Sequence, residues 1–151
     1  LKMDAILWAL VGVVAGACIA VQAPINANLG KALEVPIAAA AVSFLAGGIV
    51  LWALAFLFSN VTATPINFAA PAWWTLIAGG LLGAVYVFSN ITLTPMIGAG
   101  AVMALAVTGQ LMAGLWLDKI GFMGMAVREL SVGRITGAAL LIIGAVMIRV
   151  L

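Results

Sequence analysis

VPIAAAAVSFLAGGIVLWALAFLFSNVTATPINFAAPAWWTLIAGGLLGAVYVFSNITLTPMIGAGAVMALAVTGQLMAGLWL, Val35 to Leu117, runs for 83 residues between Glu34 and Asp118 without a charged side chain. One helical crossing of a bilayer needs about 20 apolar residues, so this stretch holds three crossings with their turns. The whole chain repeats the message: of 151 residues, 67% are hydrophobic and 7% charged, against about 25% charged in a soluble domain. Six Lys/Arg and four Asp/Glu cannot clothe a water-facing surface, which excludes an ordinary cytosolic enzyme and intrinsic disorder. The chain reads as an all-α membrane protein whose first partner is the lipid bilayer.

The net charge of +2 does not indicate nucleic acid, because the few basic residues flank apolar runs and serve there as topological anchors. One Cys and no His exclude a disulfide framework and argue against a zinc site; Cys18 is expected to be a packing residue, and no cofactor is expected. Met3–Asp4 reads as a natural start, with Leu1 and Lys2 as an addition before it, and no cleavable signal peptide is expected.

Working outward from the uncharged stretch, the sequence predicts five spans in one domain over residues 1–151. The first covers about 5–29 and ends at the polar cluster Lys31, Glu34, Pro36. The second covers 36–58, with Pro36 in the first turn, where its missing N–H has no helical partner. The third, 73–92, opens on Trp73–Trp74 at the headgroup boundary; Pro95 and Gly98 mark the next turn. The fourth covers 97–117 and the fifth 132–150. Only 14 residues separate Arg134 from Arg149, so the last span crosses with both guanidinium groups extended outward.

FSNVTATPI at 58–66 returns as FSNITLTPM at 88–96, either a remnant of duplication or two uses of the same helix-exit chemistry. Gly12–Gly16, Ser43–Gly47, Gly79–Gly83 and Gly133–Gly137 are small-residue pairs four apart, the notches that let membrane helices approach. Gly79, Gly80 and Gly83 together also weaken the third helix and make it the expected hinge.

No catalytic constellation is present, and the chain is not expected to be an enzyme. The apolar runs instead carry sparse neutral polar groups: Gln22 and Asn26 on one face of the first span, with Pro24 between them and Asn28 nearby; Tyr86, Ser89 and Asn90 on the third; Thr108 and Gln110 on the fourth. Amides in hydrocarbon either bond to neighbouring helices or line a wet cavity. No acid lies deep in a span, so the candidates for coupling or gating are Glu34, Asp118 and Arg134 at the ends. With five spans, Lys119, Arg128 and Arg134 fall on one side and Lys31 and Arg149 on the other, a weak bias that permits insertion either way up.

QAPINANLGKAL at 22–33, AAAVSFLAGG at 39–48, GGLLGAVYVFSNITLTP at 79–95, TGQLMAGLWLDKIG at 108–121 and the step from Arg134 to Gly137 resemble the YdcZ-type bacterial inner-membrane proteins of the drug/metabolite transporter superfamily. The resemblance implies a five-helix half-transporter in the inner membrane, working as an antiparallel dual-topology homodimer, paired with an opposed paralogue, or fused into a ten-helix chain. It carries over Gln22, Asn26, Ser43, Tyr86, Asn90, Gln110, Asp118 and Arg134 as family-like positions. Relatives in the small multidrug resistance group bear an acid on the first helix; this chain has none there, so their cation/proton exchange does not follow. Glu34–Val35 stands where smaller residues would be expected.

The functional expectation is a transporter exporting a small metabolite or drug-like solute by alternating access, its site formed by Gln22, Asn26, Ser43, Tyr86, Asn90 and Gln110. The rival is a passive channel for a small ion or neutral solute, formed by the same dimer.

Overall fold

The computed structural model describes residues 3–150; Leu1, Lys2 and Leu151, including the addition read before Met3, lie outside the described residues. It is all-helical, with α1 (Met3–Ala32), α2 (Pro36–Thr62), α3 (Thr75–Ile97), α4 (Ala99–Ile120) and α5 (Val132–Val150), and a 3-10 turn at Phe122–Gly124. All five helices are long and apolar enough to cross a membrane. At about 1.5 Å per residue, the 30 residues of α1 overrun a hydrocarbon layer of about 30 Å, whereas the 19 of α5 barely match it.

The helices run past several sequence-predicted ends, each for a local reason. α1 reaches Ala32 and so places Lys31 in its last turn, where a cation complements the carbonyl end of the helix. α2 continues beyond Phe58 to Thr62, whose Oγ1 donates back to the Phe58 carbonyl at 2.8 Å, and it stops where Ala63 turns left-handed, φ 51°. Trp73 and Trp74 precede α3 rather than opening it, and their carbonyls accept the N–H groups of Leu76 and Ile77. Pro95 lies inside α3, so the turn expected at Pro95–Gly98 narrows to Gly98 alone, at φ 83°. α5 has the expected bounds.

The chain forms two compact units, one ending at Pro95 and one beginning at Met96. In the first, α1 and α2 form a tight hairpin. Leu33 N–H donates to Leu29 O and Glu34 N–H to Lys31 O; Val35 is extended before Pro36, as the proline ring requires of its predecessor. Glu34 makes the turn at φ 59°, a left-handed conformation that explains why a smaller residue is expected there. The core is built from small and branched side chains, Ala39, Ala40, Val87 and Ile91, with Leu29 and Tyr86 against it. Phe68, in the α2–α3 connection, folds back to within 5.7 Å (ring centroids) of Trp52.

In the second unit α4 packs on α5, with Ala101, Val102 and Ala145 buried. The connection between them is tied to α4 by Arg128 N–H donating to Asp118 O at 2.9 Å. Large apolar side chains face outward throughout, Leu82 at 73% exposure among them, as lipid solvation allows and water would penalise.

The small-residue notches are used differently from the expectation. A Cβ added at Gly12, Gly16, Gly47, Gly79, Gly133 or Gly137 would meet nothing within 4 Å among the described residues. Among the helical glycines the close approaches are at Gly30, where that Cβ would lie 3.1 Å from Ile91 Cγ2 and 3.4 Å from Pro36 Cα, and at Gly83, 3.1 Å from Phe44 Cζ; after α4, at Gly121, it would lie 2.8 Å from Val127 Cγ2. Cys18, expected to pack, is exposed on this chain. Gly12→Ala is therefore expected to stabilise the protomer by up to about 1 kcal/mol through helix propensity. Gly30→Leu should destabilise it by about 2 kcal/mol or more by overpacking. Thermal unfolding in detergent checks both signs.

Candidate functional site

α1 presents Gln22 and Asn26 one turn apart, and α2 presents Ser43 opposite them. Gln22 Nε2 donates to Ser43 Oγ at 3.2 Å and Asn26 Nδ2 donates to the same oxygen at 3.1 Å. The hydroxyl has two lone pairs and one proton, so both acceptor positions are used and its proton remains free to donate. The pairing is possible because Ala23, Ala27, Ala39 and Ala40, all buried, let the two backbones approach.

α3 closes the third side. Asn90, only 7% exposed, lines with Gln22, Asn26, Ile19 and Val87 a small pocket of about 10 Å³, room for roughly one water molecule. Asn26 is 5% exposed and is satisfied by Ser43, whereas the Asn90 amide makes no side-chain hydrogen bond among the described residues. An amide in an apolar setting is costly unless water or a ligand reaches it. Four residues on, Thr94 Oγ1 is buried without a partner. Sequence reasoning passed over Thr94, although the four-residue spacing from Asn90 places both on one face of α3.

The other polar positions divide by how they are satisfied. Ser89 Oγ donates to Val85 O at 2.7 Å and Thr108 Oγ1 to Ala104 O at 2.9 Å, so both are spent on their own helices. Tyr86 is half-buried against the apolar core. Gln110 is exposed and belongs to the second unit. In that unit Asp118 Oδ2 and Arg134 Nη2 form an ion pair with both side chains about 30% exposed, and Arg134 Nη1 donates to Glu129 O at 3.3 Å. Glu34 lies on a separate groove with Lys31. Gly79 and Gly80 sit in an unbroken stretch of α3. No group of three or more acids or cysteines capable of holding a metal occurs among the described residues.

A family model described as "Putative inner membrane exporter, YdcZ" matches residues 7–147. The chain belongs to the YdcZ family. The inner membrane protein YdcZ of Escherichia coli (strain K12) is 41% identical over 73 residues, which are 48% of this chain and 48% of that relative. The matched segment thus spans about half the length of the curated relative. No solved structure matches the chain. Family and spans together make this a multi-pass inner-membrane protein, in a family whose description names transport rather than catalysis.

Proposed function

We propose that the chain is half of a dimeric exporter, with two copies inserted upside-down to each other, moving a small polar metabolite or drug-like solute by alternating access. The observation that carries the reading is the amide pocket: Gln22, Asn26 and Asn90 converge on one pocket beside Ser43, and the Asn90 amide makes no side-chain hydrogen bond among the described residues. The free Ser43 proton and the amide oxygens suit hydroxyl and amide groups of a neutral or weakly charged solute; with no carboxylate in the pocket they suit a naked cation poorly. A pocket of about 10 Å³ admits a solute only after α1 and α3 part, which favours a conformational cycle over a passive pore. Gly79 and Gly80, free of neighbours within 4 Å, are where α3 would bend, and Gly83 rides on Phe44. The YdcZ description supports export as the direction.

Solute flux in proteoliposomes tests the reading. Gln22→Leu and Asn26→Leu are expected to lower flux about ten-fold or more with folded protein retained, and turnover should stay near the millisecond cycle of domain-scale motion. Cys18→Ser removes the sole thiol, so a single Cys placed at Asn67 reports orientation. An impermeant thiol reagent should reach part of the population from each face. Labelling from one face only removes the antiparallel dimer, and unchanged flux in both Leu variants removes the site.

A further inference from the structure

Beside the amide pocket, and sharing only Ile91 with its wall, the α1–α2 turn forms a second concavity of about 320 Å³. Lys31, Glu34, Pro36, Thr92 and Pro95 line it. Two of the chain's ten charged residues therefore face one small groove with opposite signs. On a regular helix, residues three apart pair readily. Here they do not: among the described residues the ion pair formed is Asp118–Arg134. The reason is geometric. Glu34 has left the helix at φ 59°, so the three-residue helical spacing does not apply to the pair.

The two ends of the groove want different things. Around Glu34 the carbonyl end of α1 adds negative potential. Pro95 lacks the N–H that would bond the carbonyl of Ile91, itself a wall residue. Glu34 calls for a cation with N–H donors. Lys31 calls for an anion. The depth is also defined, because Lys31 lies in the last turn of a 29-residue candidate span and Glu34 two residues beyond its end, both before the Pro36 start of α2, at the water boundary.

The geometry points to a binding site for a zwitterion in which a primary ammonium is joined by a short linker to a phosphate or carboxylate. A quaternary ammonium lacks the N–H donors that the Glu34 carboxylate accepts from. The chemistry is shared by an aminophospholipid headgroup and by a free soluble zwitterion. The site goes beyond the transport reading and stands without it, since binding is read in the absence of flux.

The test titrates the full chain in detergent with short-chain phosphatidylethanolamine, phosphatidylglycerol and phosphatidylcholine, and separately with water-soluble glycerophosphoethanolamine, reading bound ligand by native mass spectrometry and thermal shift. A ligand that binds the folded form raises its apparent stability. Phosphatidylethanolamine is expected to bind about ten-fold more tightly than the other two lipids. Lys31→Gln and Glu34→Gln should each abolish that preference with the helical circular dichroism unchanged, since both side chains are exposed. Matching affinity for glycerophosphoethanolamine assigns the site to a free zwitterion; binding of the lipid alone assigns it to a headgroup. Equal binding of phosphatidylglycerol, or a Glu34→Gln variant that binds as the parent does, overturns the proposal.

Discussion

Ser43→Ala is expected to destabilise the protein by about 1–2 kcal/mol, an effect out of proportion to the loss of one oxygen. That oxygen accepts from both Gln22 and Asn26, and the two donors differ in what happens next. Gln22 is exposed and can turn to another partner. Asn26, at 5% exposure, cannot, and a stranded buried donor costs about 1–3 kcal/mol. Hydrogen bonds between membrane helices average nearer 0.6 kcal/mol each, so the two lost here set the lower part of the range. The same logic yields a sign reversal. Adding Asn26→Leu to Ser43→Ala removes the stranded donor together with its acceptor, so the double variant should be more stable than Ser43→Ala alone, while Ser43→Thr, which keeps the hydroxyl, stays close to the parent. Equilibrium unfolding of the four proteins decides the matter. A Ser43→Ala protein as stable as the parent would show that these hydrogen bonds contribute nothing.

Asp118→Ala is expected to cost about 1–2 kcal/mol and to loosen the whole α4–α5 connection. The Asp118–Arg134 pair lies between the regimes for which magnitudes are known: exposed pairs contribute about 0–1 kcal/mol, and breaking a fully buried one costs about 3–5 kcal/mol. With both side chains about 30% exposed, an intermediate value follows. Arg134 also donates to Glu129 O, so one guanidinium ties the end of α4, the connection and the start of α5 together. Amide exchange across residues 121–131 should quicken in Asp118→Ala and in Arg134→Gln alike. A double-mutant cycle of Asp118→Asn and Arg134→Gln should return a coupling of about 1 kcal/mol; strict additivity would mean the pair is only a surface contact.

The contrast between the two FSN segments shows where sequence reasoning stops. Thr62 and Thr92 each bond back to the carbonyl four residues earlier, Phe58 and Phe88, so the local chemistry is repeated. Yet Ala63 turns left-handed and ends α2, while its counterpart Leu93 continues α3 through Pro95. Asn60 and Val61 are exposed; Asn90 and Ile91 are buried against the first two helices. Packing holds the second segment helical past a proline, and no local signal distinguishes it from the first. The same limit applies to the helical glycines, where spacing identified notches and only neighbouring atoms show that Gly30 and Gly83 are the ones occupied.

Composition and charge spacing alone determine that this chain crosses a bilayer five times as helices, because hydrocarbon admits no other way to satisfy the backbone of so long an apolar run. They also single out Gln22 and Asn26 as polar groups sharing one helix face. Which residue answers them was decided only by the fold: Ser43 lies 17 residues from Asn26 and 21 from Gln22, and the packing of alanines between α1 and α2 brings it into reach. The fold likewise gives Asn90 no side-chain hydrogen bond among the described residues, commits Ser89 and Thr108 to their own helices, and leaves Lys31 and Glu34 without an ion pair to each other. Periodicity fixes the face on which a side chain emerges, but the atoms it meets depend on helix-to-helix approach, which is set by contacts distant in sequence.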